Sequence, residues 1–127
     1  MSLVLSDRPK KPMIGFVHAW NGLKAAARTE RNFRFHLVAA VLAAAAGFVF
    51  RLDAFQWALI MLATGMVMTA ELINTAIEKM LDYLKPDIHP QAKLVKDIAA
   101  GAVFISAVFA AAAGLFIFLP ELYAIFQ

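Results

Sequence analysis

The sequence predicts an all-α integral membrane protein: an amphipathic helix on the membrane surface, then three transmembrane helices. Three observations lead there. Of 127 residues, 62% are hydrophobic and only 17% charged, against ~45–50% apolar in an ordinary soluble domain. Three stretches approach the ~20 mostly apolar residues that a ~30 Å hydrocarbon core demands of a helix. The segment before them mixes apolar with basic and polar residues, as an interfacial helix does. The length fits one domain over 1–127. The lack of cysteine excludes disulfides, thiolate metal sites and cysteine nucleophiles. A formal net charge of +3 points to anionic lipid head groups rather than nucleic acid. A secreted disulfide scaffold, a zinc finger and a soluble two-domain enzyme are ruled out.

The surface helix is expected over 12–30. Ile14, Val17, Leu23, Ala26 and Ala27 alternate there with His18, Asn21, Lys24 and Arg28, and Phe16 and Trp20 share a face suited to head-group depth. The first span, 32–50, is uncharged after Arg34; it begins too far along the chain for a cleaved signal peptide. The second, 54–84, carries no charge until Glu71. It should stop near Tyr83 or Leu84, because Lys85-Pro86-Asp87-Ile88-His89-Pro90 holds two prolines that resist helix continuation. The third, 92–120, is uncharged from Ile98 onward. Two alanine runs, Ala43–Ala46 and Ala110–Ala113, suit either close helix packing or plain contact with lipid. Met61, Met66 and Met68 are read as packing.

Basic residues set the orientation. Arg8, Lys10, Lys11, Lys24, Arg28 and Arg31 precede the first span, Arg51 alone separates the first two, and Lys79, Lys85, Lys93 and Lys96 flank the second loop. The positive-inside rule puts the N-terminus and that second loop in the cytoplasm and the C-terminus outside.

Five of the nine acids fall between positions 71 and 97. Glu71, Asn74, Glu78 and Asp82 sit at about 0°, −60°, −20° and +20° around a helix axis, so they form one stripe. A carboxylate inside a membrane helix costs at least ~2–3 kcal/mol, and like charges four apart repel. The stripe must therefore face a wet or protein-lined site holding a cation. Either lysines such as Lys79, Lys85, Lys93 and Lys96, or Arg34, pair with it structurally, or a divalent metal of the Mg²⁺ kind binds its oxygens. Asn74 adds a neutral donor and acceptor. A second cluster runs from Arg28 to His36 with Glu30 as its acid. It reads as a basic flank with a capping Thr29 or Asn32, or as a site where Glu30 gives a metal oxygen and Arg31 or Arg34 meets phosphate. A third runs from His89 to Asp97, where Lys96 either snorkels or holds phosphate charge. There is no phosphate-cradling G-x-x-x-x-G-K-[ST] loop and no G-x-S-x-G elbow, and His18, His36 and His89 lack a metal motif's spacing.

Glu71-Leu-Ile-Asn74-Thr-Ala-Ile-Glu78-x-x-x-Asp82, followed by His89-Pro90-x-Ala92-Lys93-x-x-Lys96-Asp97-x-Ala-Ala-Gly101-Ala-Val103, resembles the prokaryotic diacylglycerol kinase / undecaprenol kinase family. The likeness runs from about residue 14 to 120. The Arg28–His36 and Lys96–Val103 segments look like the undecaprenol kinase branch. The resemblance implies a homotrimer of three-span subunits, each preceded by a surface helix, with active sites shared between subunits at the cytoplasmic face of a bacterial inner membrane. It implies ATP as co-substrate with Mg²⁺, and a membrane lipid alcohol, preferably undecaprenol, as phosphate acceptor; diacylglycerol is the alternative. It makes Glu71 the general base on the lipid hydroxyl, Glu30 and Glu78 metal ligands, Asn74 an orienting group, Lys96 and Asp97 nucleotide contacts, and Asp82 a support, with Arg34 near substrate. Lys11 and His18 stand where the enterobacterial branch has an Arg and a Tyr that contact nucleotide. A reading of another class is a small oligomeric transporter using Glu71 and Glu78 as a proton or cation relay, which needs acids near mid-membrane; a third is a non-catalytic assembly subunit, which leaves the acidic stripe unexplained.

Overall fold

The structure, a computed structural model, describes residues 12–87 and 89–127. Four helices follow one another: α1 (Pro12–Thr29), α2 (Arg31–Val49), α3 (Ala54–Leu84) and α4 (Pro90–Ile125). The fold is all-helical, and α2, α3 and α4 are long and apolar enough to cross a membrane.

The boundaries have local causes. Glu30 adopts an extended backbone, φ −111° and ψ 112°, so a one-residue break separates α1 from α2 and α1 ends at Thr29. Between α2 and α3 the chain turns through Arg51, whose φ of 53° is unfavourable for a side chain with a Cβ. Asp53 then opens α3 with a reciprocal cap: Gln56 N–H donates to Asp53 Oδ1 at 2.8 Å, and Asp53 N–H donates to Gln56 Oε1 at 3.0 Å. Helix α3 stops at Leu84, ahead of Pro86. Helix α4 begins at Pro90, two residues ahead of the expected span, because proline suits a first helical position and His89 Nδ1 accepts the Gln91 N–H at 3.2 Å. It runs through Pro120 to Ile125 rather than stopping at the proline. Gln56 Nε2 donates to Glu121 Oε1 at 3.3 Å and holds that last turn against the start of α3.

An apolar cluster lies at this end. Helix α3 packs most extensively on α4, then on α2, and α1 touches α2. Leu52, Ile60 and Ile117 are buried together, with Ala43, Phe50, Trp57 and Phe118 against them. The Trp57 ring lies on Gly47: a Cβ there would sit 2.6 Å from Trp57 Cη2. Phe48 completes the contact, its ring 4.9 Å from that of Trp57. Ala39, Ala40 and Ala43 of α2 and Ala107, Ala110 and Ala111 of α4 line, with Thr64 and Val67 of α3, a groove of about 390 Å³. Most large apolar side chains elsewhere point outward, the reverse of a soluble protein and suited to lipid or neighbouring helices.

Gly47→Ala is expected to lower the thermal unfolding temperature in detergent, by the equivalent of about 1–3 kcal/mol for overpacking. Adding Trp57→Leu should recover part of that loss.

Candidate active site

Helix α3 has 31 residues and so extends about 46 Å at 1.5 Å per residue, well beyond the ~30 Å of a hydrocarbon core. Glu71 lies about 26 Å from the Ala54 end. The apolar part of the helix is spent before the acids begin, and the stripe occupies its far end. Burial falls along it: Glu71 is 2% exposed and Asn74 6%, Glu78 is half-buried, and Asp82 is exposed. One face thus carries carboxylates from a dry environment to a hydrated one within three turns.

Among the described residues no Lys or Arg pairs with Glu71. Its electrostatic neighbours are Glu78 and Glu30, both repelling it. Asn74 Nδ2 donates to Glu78 Oε1 at 3.5 Å, while Asn74 Oδ1 and the neighbouring Thr75 Oγ1 are buried without partners. An unmet buried polar atom costs about 1–3 kcal/mol. Both belong to residues within four positions of the buried Glu71 carboxylate on α3.

Glu30 reaches this place from the α1–α2 break, its Oε1 3.4 Å from Lys79 Nζ. The corner is fixed by Phe33, 2% exposed, which shares a groove with Trp20, Leu23 and Met68 and so wedges between α1 and α3. Arg34 Nη1 donates to the carbonyls of Ala27 at 2.9 Å and Arg28 at 3.0 Å. The guanidinium closes the C-terminal end of α1, where free carbonyls favour a cation. Thr29 Oγ1 donates to Ala25 O at 2.8 Å.

At the α3–α4 turn, Lys96 Nζ lies 2.6 Å from Asp82 Oδ1, and Lys93 Nζ 2.6 Å from Asp97 Oδ2. Asp82, Lys85, Asp87, His89, Lys93 and Lys96 line a polar cavity of about 220 Å³. The expected site residues therefore fall into two neighbouring groups. Glu71, Asn74, Glu78 and Glu30 gather at one, and Asp82, Lys96 and Asp97 with Lys93 at the other. His18 stands apart, exposed on α1, and Lys11 lies outside the described residues. Thr75 was not anticipated, although at about 40° from Glu71 it borders the stripe. The choice of Glu30 by Lys79 joins two clusters that the sequence keeps apart.

The donors are oxygens, from Glu30, Glu78 and Asn74 Oδ1. Among the described residues no three acids or histidines form a ready metal cage. Such a set fits a hard divalent cation that takes one or two carboxylates and finds its other ligands on water and phosphate.

The model of a family described as prokaryotic diacylglycerol kinase matches residues 17–118. The chain belongs to this family. It is 48% identical over 107 residues to an undecaprenol kinase of Bacillus subtilis, covering 84% of this chain and 87% of that protein. To a diacylglycerol kinase of Synechocystis it is 38% identical over 111 residues, 87% of this chain and 63% of that longer protein. To a diacylglycerol kinase of Escherichia coli it is 32% identical over 93 residues, 73% of this chain and 76% of that one. Family and relatives are lipid kinases, and this chain is accordingly a membrane lipid kinase, an ATP-dependent phosphotransferase. The transporter and assembly-subunit readings fall away.

Arg34→Met should loosen the end of α1 and speed tryptic cleavage after Arg28 and Arg31, read by limited proteolysis in detergent. Arg34→Lys should show an intermediate rate, since one ammonium replaces a guanidinium with five donors.

Proposed function

We propose that this kinase transfers the γ-phosphoryl group of ATP to the hydroxyl of undecaprenol, giving undecaprenyl phosphate, at the cytoplasmic face of a bacterial inner membrane. The observation that carries the reading is the buried Glu71 carboxylate with no cationic partner among the described residues, beside two buried unpaired oxygens, where the apolar part of a membrane-length helix ends. The choice of undecaprenol rests on the 48% identity to the Bacillus subtilis enzyme.

In this reading the whole chain, 1–127, is one membrane-embedded domain. Helix α1 lies on the cytoplasmic surface and α2 to α4 cross the bilayer, with the N-terminus inside. Three copies assemble and share their active sites. The outward-facing apolar side chains of α2 to α4 support contact with lipid and with other copies.

Phosphoryl transfer asks for position and charge neutralisation more than covalent chemistry. Glu71 takes the proton of the lipid hydroxyl. The hydroxyl oxygen then bonds to the γ-phosphorus as the bond to the β,γ-bridging oxygen breaks and ADP leaves. Asn74 orients the reacting oxygens through its free Oδ1. Glu30 and Glu78 hold Mg²⁺, which when bound neutralises nucleotide phosphate charge. Lys96 provides a point charge for the phosphates and Asp97 a nucleotide contact. To act, Lys96 must leave Asp82; that pair is exposed, so parting it costs no more than about 1 kcal/mol. Asp82 thereby parks the lysine between turnovers. The lipid arrives laterally, between α1 and α3, so no deep pocket is needed.

The test is a kinase assay on the purified protein with ATP, Mg²⁺ and each lipid in turn. Turnover of undecaprenol should exceed that of diacylglycerol; the reverse order reassigns the substrate. Glu71→Gln should lose about a hundredfold or more in kcat while cross-linking still recovers the trimer. Activity retained in that variant removes Glu71 as base.

A further inference from the structure

Glu30 declines the usual role of its position. It is the N-cap residue of α2, yet its side chain makes no capping hydrogen bond to that helix. Its Oε1 turns instead toward α3, 3.4 Å from Lys79 Nζ. Lys79 stands about 80° around α3 from Glu71, at the edge of the acidic stripe nearest the α1–α2 corner. It shares a groove of about 550 Å³ with Ala25, Ala26 and the unpartnered Thr75.

Glu30 and Glu78 stand near enough to Glu71 for each to repel it. The other lysines in ion pairs, Lys96 and Lys93, are engaged with Asp82 and Asp97. Among the described residues, Lys79 is the cation paired with this trio. Its side chain is 60% exposed and that of Glu30 24%, so the pair is weak and exchanges readily. A strong buried pair would lock the carboxylate; an exposed one aims it and lets go.

We propose that Lys79 is a positioning residue, a counter-cation that holds Glu30 turned toward α3 in the free enzyme and yields it to the divalent cation. This rests on Glu30 being an oxygen donor to that cation, and adds what keeps the donor in place beforehand. Without Lys79, Glu30 has no cation at its carboxylate, and an incoming metal meets a more negative site. With it, the metal must displace a resident ammonium.

The test is Mn²⁺ binding to the purified full chain in detergent, followed by the loss of the free-ion EPR signal and therefore independent of turnover. Lys79→Met should bind Mn²⁺ about two- to fivefold more tightly than wild type, the scale of one exposed pair. Lys79→Arg should restore wild-type affinity. Glu30→Gln should weaken binding; if it does not, Glu30 is not a donor and the underlying reading fails. If Glu30→Gln weakens binding but Lys79→Met binds no more tightly than wild type, the reading of Glu30 stands and the role given to Lys79 is overturned.

Discussion

A carboxylate that is nearly inaccessible to solvent, on a helix otherwise made to meet lipid, constrains everything around it. Glu71 is 2% exposed, and an ionisable group in such surroundings is expensive wherever it lacks a partner. A neighbouring arginine would lower that cost, and, in the proposed mechanism, would leave it a poor proton acceptor. What surrounds it instead are two further acids, an amide and a hydroxyl, two of whose oxygens are unspent. The other ionic arrangements can be understood as managing that excess of negative charge: Lys79 against Glu30, Lys96 against Asp82, Lys93 against Asp97. All three pairs have exposed members, so each is weak and readily exchanged.

The stability needed to hold such a site comes from the opposite end of the molecule. Gly47 lets Trp57 lie flat on α2, Leu52, Ile60 and Ile117 close over it, Asp53 and Gln56 cap α3, and Gln56 reaches Glu121 on α4. Apolar contact and small residues set the helices close together there. At the candidate site, buried Ala26, Phe33 and Ala99, the Arg34 cap and exposed ion pairs hold the helix ends. The division follows from marginal stability: strain and unsatisfied groups persist only where well-packed structure elsewhere over-determines the fold.

Much of this was legible in the sequence because it depends on local rules. Apolar runs of the right length give the spans, Lys85-Pro86 ends α3, and the period of 3.6 puts Glu71, Asn74, Glu78 and Asp82 on one face. The acidic stripe was therefore visible before any coordinates. What depends on tertiary geometry was not. Whether Arg34 meets a phosphate or the carbonyls of Ala27 and Arg28 turns on how α1 folds back at Glu30. Which acid Lys79 selects turns on the same corner. The burial of Thr75 needs the depth of α3 among its neighbours, and α4 passes Pro120 because Glu121 has a partner on α3, which no periodicity encodes.

The unbroken length of α3 has a mechanical consequence. From Ala54 to Leu84 there is no proline or glycine pair to absorb bending, so Glu71 keeps a nearly fixed height above the Ala54 end. In the proposed orientation that height is close to the thickness of an ordinary bilayer. A thicker membrane submerges the carboxylate among acyl chains, and a thinner one lifts it into the head groups; tilt absorbs only part of the mismatch. The depth of the base, and with it access to a hydroxyl held at the interface, is thereby tied to the lipid composition of the membrane itself.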